Sequence, residues 1–349
     1  MSAPLSQTDI ELVLERTRPL WEEVRGKRIF LTGGTGFFGC WLVESFLAAN
    51  DAFDLRAQLH VLSRSPEAFL AKCPHLAGKR ALVLIRGDVR SYEFPDGEFE
   101  FVIHAATEAS AKMVADDPVT MLSTIIDGTM HMLNFAATHQ TKKFLLTSSG
   151  AVYGRQPADI SHIPEDYMGA PNPLQAASVY AEGKRAAEMM CAVYGEMSGI
   201  ECKIARCFAF VGPHLPLNTH FAIGNFILDV LKGREIFISG DGTARRSYMY
   251  GADLAVALWT MLFKAPALEA FNIGSAESLS ILEIAEAVRD AIGSEFPICV
   301  AKVPTADSPV HQYVPSTEKA ESTLGIRCEV GLHEAIRRTF DWYKRQRAE

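Results

Sequence analysis

The stretch Arg28-Ile29-Phe30-Leu31-Thr32-Gly33-Gly34-Thr35-Gly36-Phe37-Phe38-Gly39 constrains the fold more than any other part of the chain. A short apolar run ends in Gly33, Gly36 and Gly39, spaced three residues apart, and residues 37–50 continue with helical spacing of Trp and Leu. Strand, glycine turn and helix in that order meet three physical needs. Gly33 permits the tight turn, Gly36 lets a pyrophosphate approach the backbone, and Gly39 lets the helix sit close to the strand. The helix then offers its first amides and the positive end of its dipole to phosphate oxygens. The loop Gly33, Thr35, Gly36, Phe37, Phe38 and Gly39 is therefore expected to bind a dinucleotide cofactor.

The pattern around this loop repeats. Residues 28–32, 58–62, 81–85, 99–104 and 144–149 read as strands, and 37–50 and 119–139 as helices. Strands alternating with helices predict an α/β fold with a doubly wound, Rossmann-type parallel sheet. Beyond about residue 205 the alternation weakens into Pro- and Gly-containing loops, with helical spacing again at 224–232 and 279–293. The expected organisation is an N-terminal extension (1–25), a dinucleotide-binding domain (26–205) and a segment (206–349) that forms mainly a smaller C-terminal substrate-binding lobe. Part of that last segment has room to return to the first domain. Within the extension, residues 7–17 predict a short amphipathic helix ended near Pro19, an appendage to the main fold.

Composition narrows the classes. No run of about eighteen apolar residues exists, so no membrane partner is expected. The N-terminus lacks the cationic and apolar regions of a signal peptide. Net charge is −8 and the basic residues are scattered, which argues against nucleic acid as a partner. Seven cysteines without a CxxC pair predict neither a disulfide framework nor a zinc site, and reduced thiols suit a cytoplasmic enzyme.

The end of the second strand reads His60-Val61-Leu62-Ser63-Arg64-Ser65. A carboxylate there would accept the ribose hydroxyls of NAD; Ser63 and Arg64 instead suit a ribose 2′-phosphate, so NADP(H) is the expected cofactor, with NAD the alternative. Tyr180 and Lys184 stand four apart in Tyr180-Ala181-Glu182-Gly183-Lys184 and share a helix face. A nearby ammonium is expected to lower the phenol's pKa, so that Tyr180 serves as acid or base. A serine from Thr147-Ser148-Ser149-Gly150 beside it would orient a carbonyl or alcohol for hydride exchange.

Taken together, GxxGxxG, His104-Ala105-Ala106, the Thr147–Gly154 stretch, Tyr180–Lys184 and Arg206–Pro213 resemble the extended short-chain dehydrogenases/reductases. More narrowly, they resemble the nucleotide-sugar epimerase, dehydratase and reductase group, from about residue 27 to the C-terminus. The resemblance implies that Ser149, Tyr180 and Lys184 are the catalytic residues, with Tyr180 and Lys184 also touching the cofactor. It implies that Asp88 and Val89 flank the adenine and that His104, Ala105, Ala106 and Thr107 line the cofactor. Gly240-Asp241-Gly242 with Arg246 and Asp253 resembles a further family segment, in which Arg246 contacts the diphosphate of a nucleotide-sugar substrate bound beside Ser149. A homodimer formed through a helix bundle that includes the Tyr–Lys helix is also implied.

Three departures limit the likeness. Ala209 and Ile125 stand where the family carries asparagines, and Gly150-Ala151 replaces the Asp-Glu pair of sugar 4,6-dehydratases. A 4,6-dehydratase is therefore not expected. The leading expectation is an NADP(H)-dependent reductase of a 4-keto-6-deoxy nucleotide sugar, acting at sugar C4. The alternatives are a 4-epimerase with tightly bound NAD and a non-catalytic cofactor sensor. Cys207 reads as a buried structural thiol, and Met189-Met190 and the aromatics of Phe221 to Phe226 as helix core. His162, His214 and His220 are loop histidines with some reach toward substrate, and Arg245 either shares the diphosphate with Arg246 or is an exposed neighbour.

Overall fold

The computed structural model describes residues 2–106, 111–219, 221–304 and 311–348. Its strands are β1 Arg28–Thr32, β2 Gln58–Ser63, β3 Leu82–Arg86, β4 Phe101–His104, β5 Lys143–Ser149, β6 Glu201–Cys207, β7 Phe210–Val211, β8 Ile236–Ile238, β9 Arg245–Arg246, β10 Met249–Tyr250, β11 Ala270–Ile273, β12 Leu279–Ser280, β13 Ile298–Val300 and β14 Gln312–Tyr313. The helices are α1 Gln7–Thr17, α2 Phe37–Ala52, α3 Pro66–Lys72, α4 Ala111–Asp116, α5 Pro118–Thr138, α6 Val179–Ser198, α7 Ala222–Leu231, α8 Gly251–Lys264, α9 Ile281–Ile292, α10 Glu318–Leu324 and α11 Leu332–Ala348.

Seven strands form one parallel sheet in the order β11-β6-β5-β4-β1-β2-β3. Chain direction across the sheet reverses between β1 and β4, and ligands of such sheets bind at the carboxyl ends of the strands there. Alternation within β1 shows how both faces become buried. Ile29 and Leu31 pack on the side of α2 and α8, while Phe30 packs with Phe99, Phe135 and the α5 side. A strand apolar on both faces belongs in the middle of a helix-covered parallel sheet.

Two strands of this sheet are not among those expected from the sequence. β6 alternates charged and apolar residues, Glu201 and Lys203 among them, so no apolar run marks it. Lys203 is nonetheless buried, its Nζ donating to Glu201 Oε2 at 3.0 Å and to the Ala265 carbonyl. β11 comes from the C-terminal segment and pairs with β6, so residues 206–349 do return to the sheet.

The N-terminal helix is not an appendage. Its Ser6 cap accepts from Asp9 N, and Val13 is fully buried between α2 and α8. Asp9, also buried, accepts from Tyr250 Oη at 3.0 Å and from Arg338 Nη1 at 2.7 Å. Those contacts join the two ends of the chain, a relation that local spacing does not express. Met189 departs from expectation too: it is 65% exposed, with only Met190 turned partly inward.

Candidate active site

A cavity of about 1020 Å³ opens over the carboxyl ends of β1, β2, β4 and β5, at the upper end of small-molecule sites. Gly33, Thr35, Gly36, Phe37, Phe38, Ser63, Arg64, Asp88, Val89, Ala105, Ala106, Ser149, Tyr180, Lys184 and Arg246 all line it. Thr107 and His220 lie outside the described residues.

The glycine loop has a shape that fits a dinucleotide. Gly33 has φ +73°, and a Cβ there would lie 2.2 Å from the Ala105 carbonyl oxygen. A Cβ on Gly39 would lie 2.3 Å from Gly33 O, so this glycine supports the loop from beneath and does not face the cavity. Gly36 caps α2 with no side-chain hydrogen bond, which leaves the first amides of the helix for an anion.

His104 also stands behind the cavity wall. It is 1% exposed, with Nδ1 at 2.8 Å from Thr32 Oγ1 and Nε2 at 3.2 Å from Thr129 Oγ1. Thr32 Oγ1 accepts from Ala105 N and Ala106 N, both at 3.2 Å, so its own proton goes to His104 Nδ1. That leaves the imidazole proton on Nε2, and burial holds the ring's pKa down to about 3. The neutral ring therefore braces the tips of β1 and β4.

At the far end of the cavity, Ser63 and exposed Arg64 close β2 without a carboxylate between them. Asp88 is already engaged: Arg90 Nε lies at 2.8 Å and Arg90 Nη2 at 2.9 Å from its oxygens, and Arg90 N donates at 3.0 Å. These bonds hold its carboxyl down to about 2. Arg90 lines the cavity as a second cation, which the sequence reading did not single out.

The catalytic candidates converge on one hydroxyl. Ser149 ends β5, its Oγ accepts from Ala151 N at 3.2 Å, and its hydroxyl is close enough to the phenols of Tyr180 and Tyr313 to act against the rise of both pKa values. The position of Tyr180 follows from α6, which starts at Val179 over the end of β5. Four residues later, Lys184 Nζ donates to the Thr147 carbonyl at 2.7 Å and lies 5.9 Å from the centre of the Tyr180 ring.

The electrostatics differ from the expectation of a lowered phenol pKa. Burial pushes Tyr180 up to about 12, only partly offset by the Ser149 hydrogen bond. Burial also pushes Lys184 down to about 8. Desolvation of each charged form outweighs the pair's mutual influence. The site thus holds a protonated phenol beside a cation that titrates near neutral pH.

Tyr313 was missed because nothing local marks it. It reaches Ser149 only because β14 pairs in parallel with β9, setting Tyr313 opposite Arg246. Arg246 faces the cavity while Arg245 turns away, Nε donating to Ser278 Oγ at 2.9 Å. Cys207 lines the cavity beside Phe208, and burial raises its thiol to about 12, so it stays protonated. His162 Nε2 donates to the Ala276 carbonyl at 2.9 Å, and His214 Nε2 lies 3.1 Å from Glu44; neither ring lines the cavity. Asp253 is structural, accepting from Glu329 N and Val330 N, both at 3.1 Å.

Residues 29–274 match the family model described as the NAD dependent epimerase/dehydratase family. The chain belongs to this family. Its relatives include UDP-glucuronic acid decarboxylase 1 of Arabidopsis thaliana, 32% identical over 311 residues, covering 89% of this chain and 68% of that protein. UDP-glucuronic acid decarboxylase 1 of Danio rerio is 29% identical over 320 residues, 92% of this chain and 73% of that one. Among solved structures, UDP-glucose 4-epimerase of Thermus thermophilus in complex with NAD superposes with a TM-score of 0.73 at 25% identity, covering 91% and 99% of the two chains. As a member of the NAD dependent epimerase/dehydratase family the chain is an enzyme with a nicotinamide dinucleotide cofactor, and the glycine cradle described above suits that group.

Proposed function

We propose that the cavity binds NADP(H) along the glycine loop and a nucleotide-diphosphate sugar along Ser149, Arg246 and Tyr313, and that the chain reduces a 4-keto-6-deoxy sugar at C4. The bound cofactor supplies the hydride. The observation that carries this reading is the convergence of Ser149, Tyr180, Tyr313 and Lys184 in one cavity with the glycine loop.

In this proposal Ser149 donates to the carbonyl oxygen and polarises it. Tyr180, kept protonated by burial, gives its proton to the developing alkoxide, and the Lys184 cation stabilises the phenolate left behind. Arg246 pairs with the diphosphate. Two further features support the finer choices. Ala151, Ala177, Cys207 and Phe208 line the same cavity as the catalytic hydroxyls and offer apolar surface for an uncharged methyl at C6. Asp88, engaged by Arg90, is the only carboxylate lining the cavity among the described residues. Arg64 and Arg90 support NADP(H) over NAD.

The curated relatives favour a second reading, decarboxylation of a nucleotide glycuronic acid with retained NAD, in which Arg246 would face the substrate carboxylate. Parallel assays separate the two. NADPH oxidation with a 4-keto-6-deoxy nucleotide sugar supports the reductase. Release of carbon dioxide from UDP-glucuronate, without net NADPH consumption, replaces it with the decarboxylase.

The proposed partner in solution is a second copy. Val119, Leu122 and Met130 on α5 and Met189, Val193 and Met197 on α6 are exposed apolar residues on two helices that pack together. Positions 189, 193 and 197 repeat every four residues and so share one face. Sedimentation velocity is expected to show a dimer that Val193→Asp converts to monomer; a monomeric wild type ends this proposal.

A further inference from the structure

Off the cavity wall, behind the glycine loop, Cys40, Cys73 and His214 bring two sulfurs and a ring nitrogen within 4.8 Å of one another. We propose that these three side chains form a binding site for a thiophilic divalent cation such as zinc, clamping the dinucleotide-binding helix to the loop that follows β7.

All three residues are buried, and the His214 side chain is fully so. His214 Nε2 faces Glu44 Oε1 at 3.1 Å, while its buried Nδ1 has no partner among the described residues. A buried imidazole nitrogen without a hydrogen bond is costly unless something else satisfies it. Metal-ligating histidines commonly present one nitrogen to the ion and the other to a carboxylate, the arrangement Glu44 provides. Glu44 is itself fixed, accepting from Leu5 N at 2.7 Å and facing His75 Nε2 at 3.3 Å. His214 also holds φ +69°, a strained conformation for a residue with a side chain, and the fold imposes it where the imidazole meets the two thiols.

The donor set has the right chemistry. Two thiolates and an imidazole suit zinc, and two thiolates balance the charge of a dication. Tetrahedral zinc places its ligand atoms about 3.6–3.8 Å apart, so the cluster closes by about 1 Å on binding. The thiol protons pass to solvent. A fourth position is left for water or for His75, whose Nδ1 is also buried without a hydrogen bond.

The location gives the ion a consequence. Cys40 lies in the first turn of α2, its N donating to Gly36 O at 2.9 Å and its Sγ 3.9 Å from Thr35 O. His214 follows Pro213, whose carbonyl accepts from Trp41 Nε1 at 3.1 Å, and precedes Leu215 and Pro216 on the cavity wall. An ion here ties the pyrophosphate-binding turn to the substrate-side loop. The three ligands are 33 and 141 residues apart in sequence (73 − 40 and 214 − 73), which is why their spacing announces no zinc site.

The test uses the intact, reduced protein, stripped with a chelator and titrated anaerobically with cobalt(II). The expected result is a near-ultraviolet thiolate-to-cobalt charge-transfer band that saturates at one equivalent and is displaced by one equivalent of zinc. Cys73→Ser should lose at least half the band, whereas Cys299→Ser, at a thiol beside Glu235 on the opposite lobe, should keep it. No band in the wild type overturns the proposal without reference to any variant, and so does a band that survives in folded Cys73→Ser. If the reduced protein takes up no metal but loses two hydrogens in intact mass on exposure to air, the pair is a redox couple and the metal site is rejected.

Discussion

The two halves of the cavity are built in different ways. The cofactor half uses short stretches at the ends of β1, β2, β3 and β4, where the backbone does much of the work: a turn at φ +73°, uncapped helix amides, and the Ala105 and Ala106 amides braced by Thr32. The half proposed for substrate draws Ser149, Tyr180, Cys207, Phe208, Arg246 and Tyr313 from five separate segments, and side chains make its surface. Backbone geometry leaves a local signature of glycines. Side-chain convergence leaves none until strands pair. The difference predicts that changes in the first half act on cofactor binding and changes in the second on the chemical step.

The largest expected effect tests that separation directly. Tyr180→Phe should lower kcat by about 10²–10⁴-fold, the range of a lost general acid, while the cofactor Kd measured by fluorescence titration changes little. Equal losses in both would erase the distinction between the halves. Next, Arg64→Asp should shift the ratio of kcat/KM for NADPH over NADH by about 10–100-fold toward NADH, the loss of a charge-assisted contact. Its kcat at saturating cofactor should stay near wild type; an unchanged ratio would move cofactor selection to another residue, with Arg90 the first to examine.

Tyr313→Phe removes the phenol hydroxyl beside Ser149 and should lower kcat by about five- to tenfold, the worth of a single net hydrogen bond. Because Ser149 still accepts from Ala151 N, the fold and cofactor affinity should hold. A variant with full kcat would show that Tyr313 shapes the wall without orienting the serine.

The smallest effect is one of pH. Lys184 titrates at about 8 when folded against 10.5 ordinarily, so between those values the unfolded chain binds more protons. Its contribution therefore makes stability rise with pH from about 8 to 10.5 and adds no slope below about 8. Urea midpoints at about pH 7, 9 and 10.5 should show this rise in the wild type relative to Lys184→Met. Parallel curves for the two would mean that the folded lysine is not as desolvated as its burial indicates.

The first five strands and the two long helices were legible because their apolar runs and spacings are local properties, and the observed bounds of β1 are those read from residues 28–32. The glycine motif and the Tyr180–Lys184 pair were legible for the same reason: each is a requirement of one turn or one helix face. β6 was not, since a strand carrying Glu201, Lys203 and Arg206 shows its burial only when α8 and β11 cover it. Nor was the integration of α1, which depends on Asp9 meeting Tyr250 and Arg338, 241 and 329 residues away.

By itself, then, the sequence determined the α/β class and the glycine turn after β1, because hydrophobic periodicity and glycine geometry act within about a dozen neighbours. Only the tertiary structure decided that Tyr180 is a protonated phenol, that His104 is a neutral brace, that Tyr313 shares Ser149, and that Cys40, Cys73 and His214 meet. Each of these rests on desolvation or on contact between distant segments, and both arise only when the chain has packed.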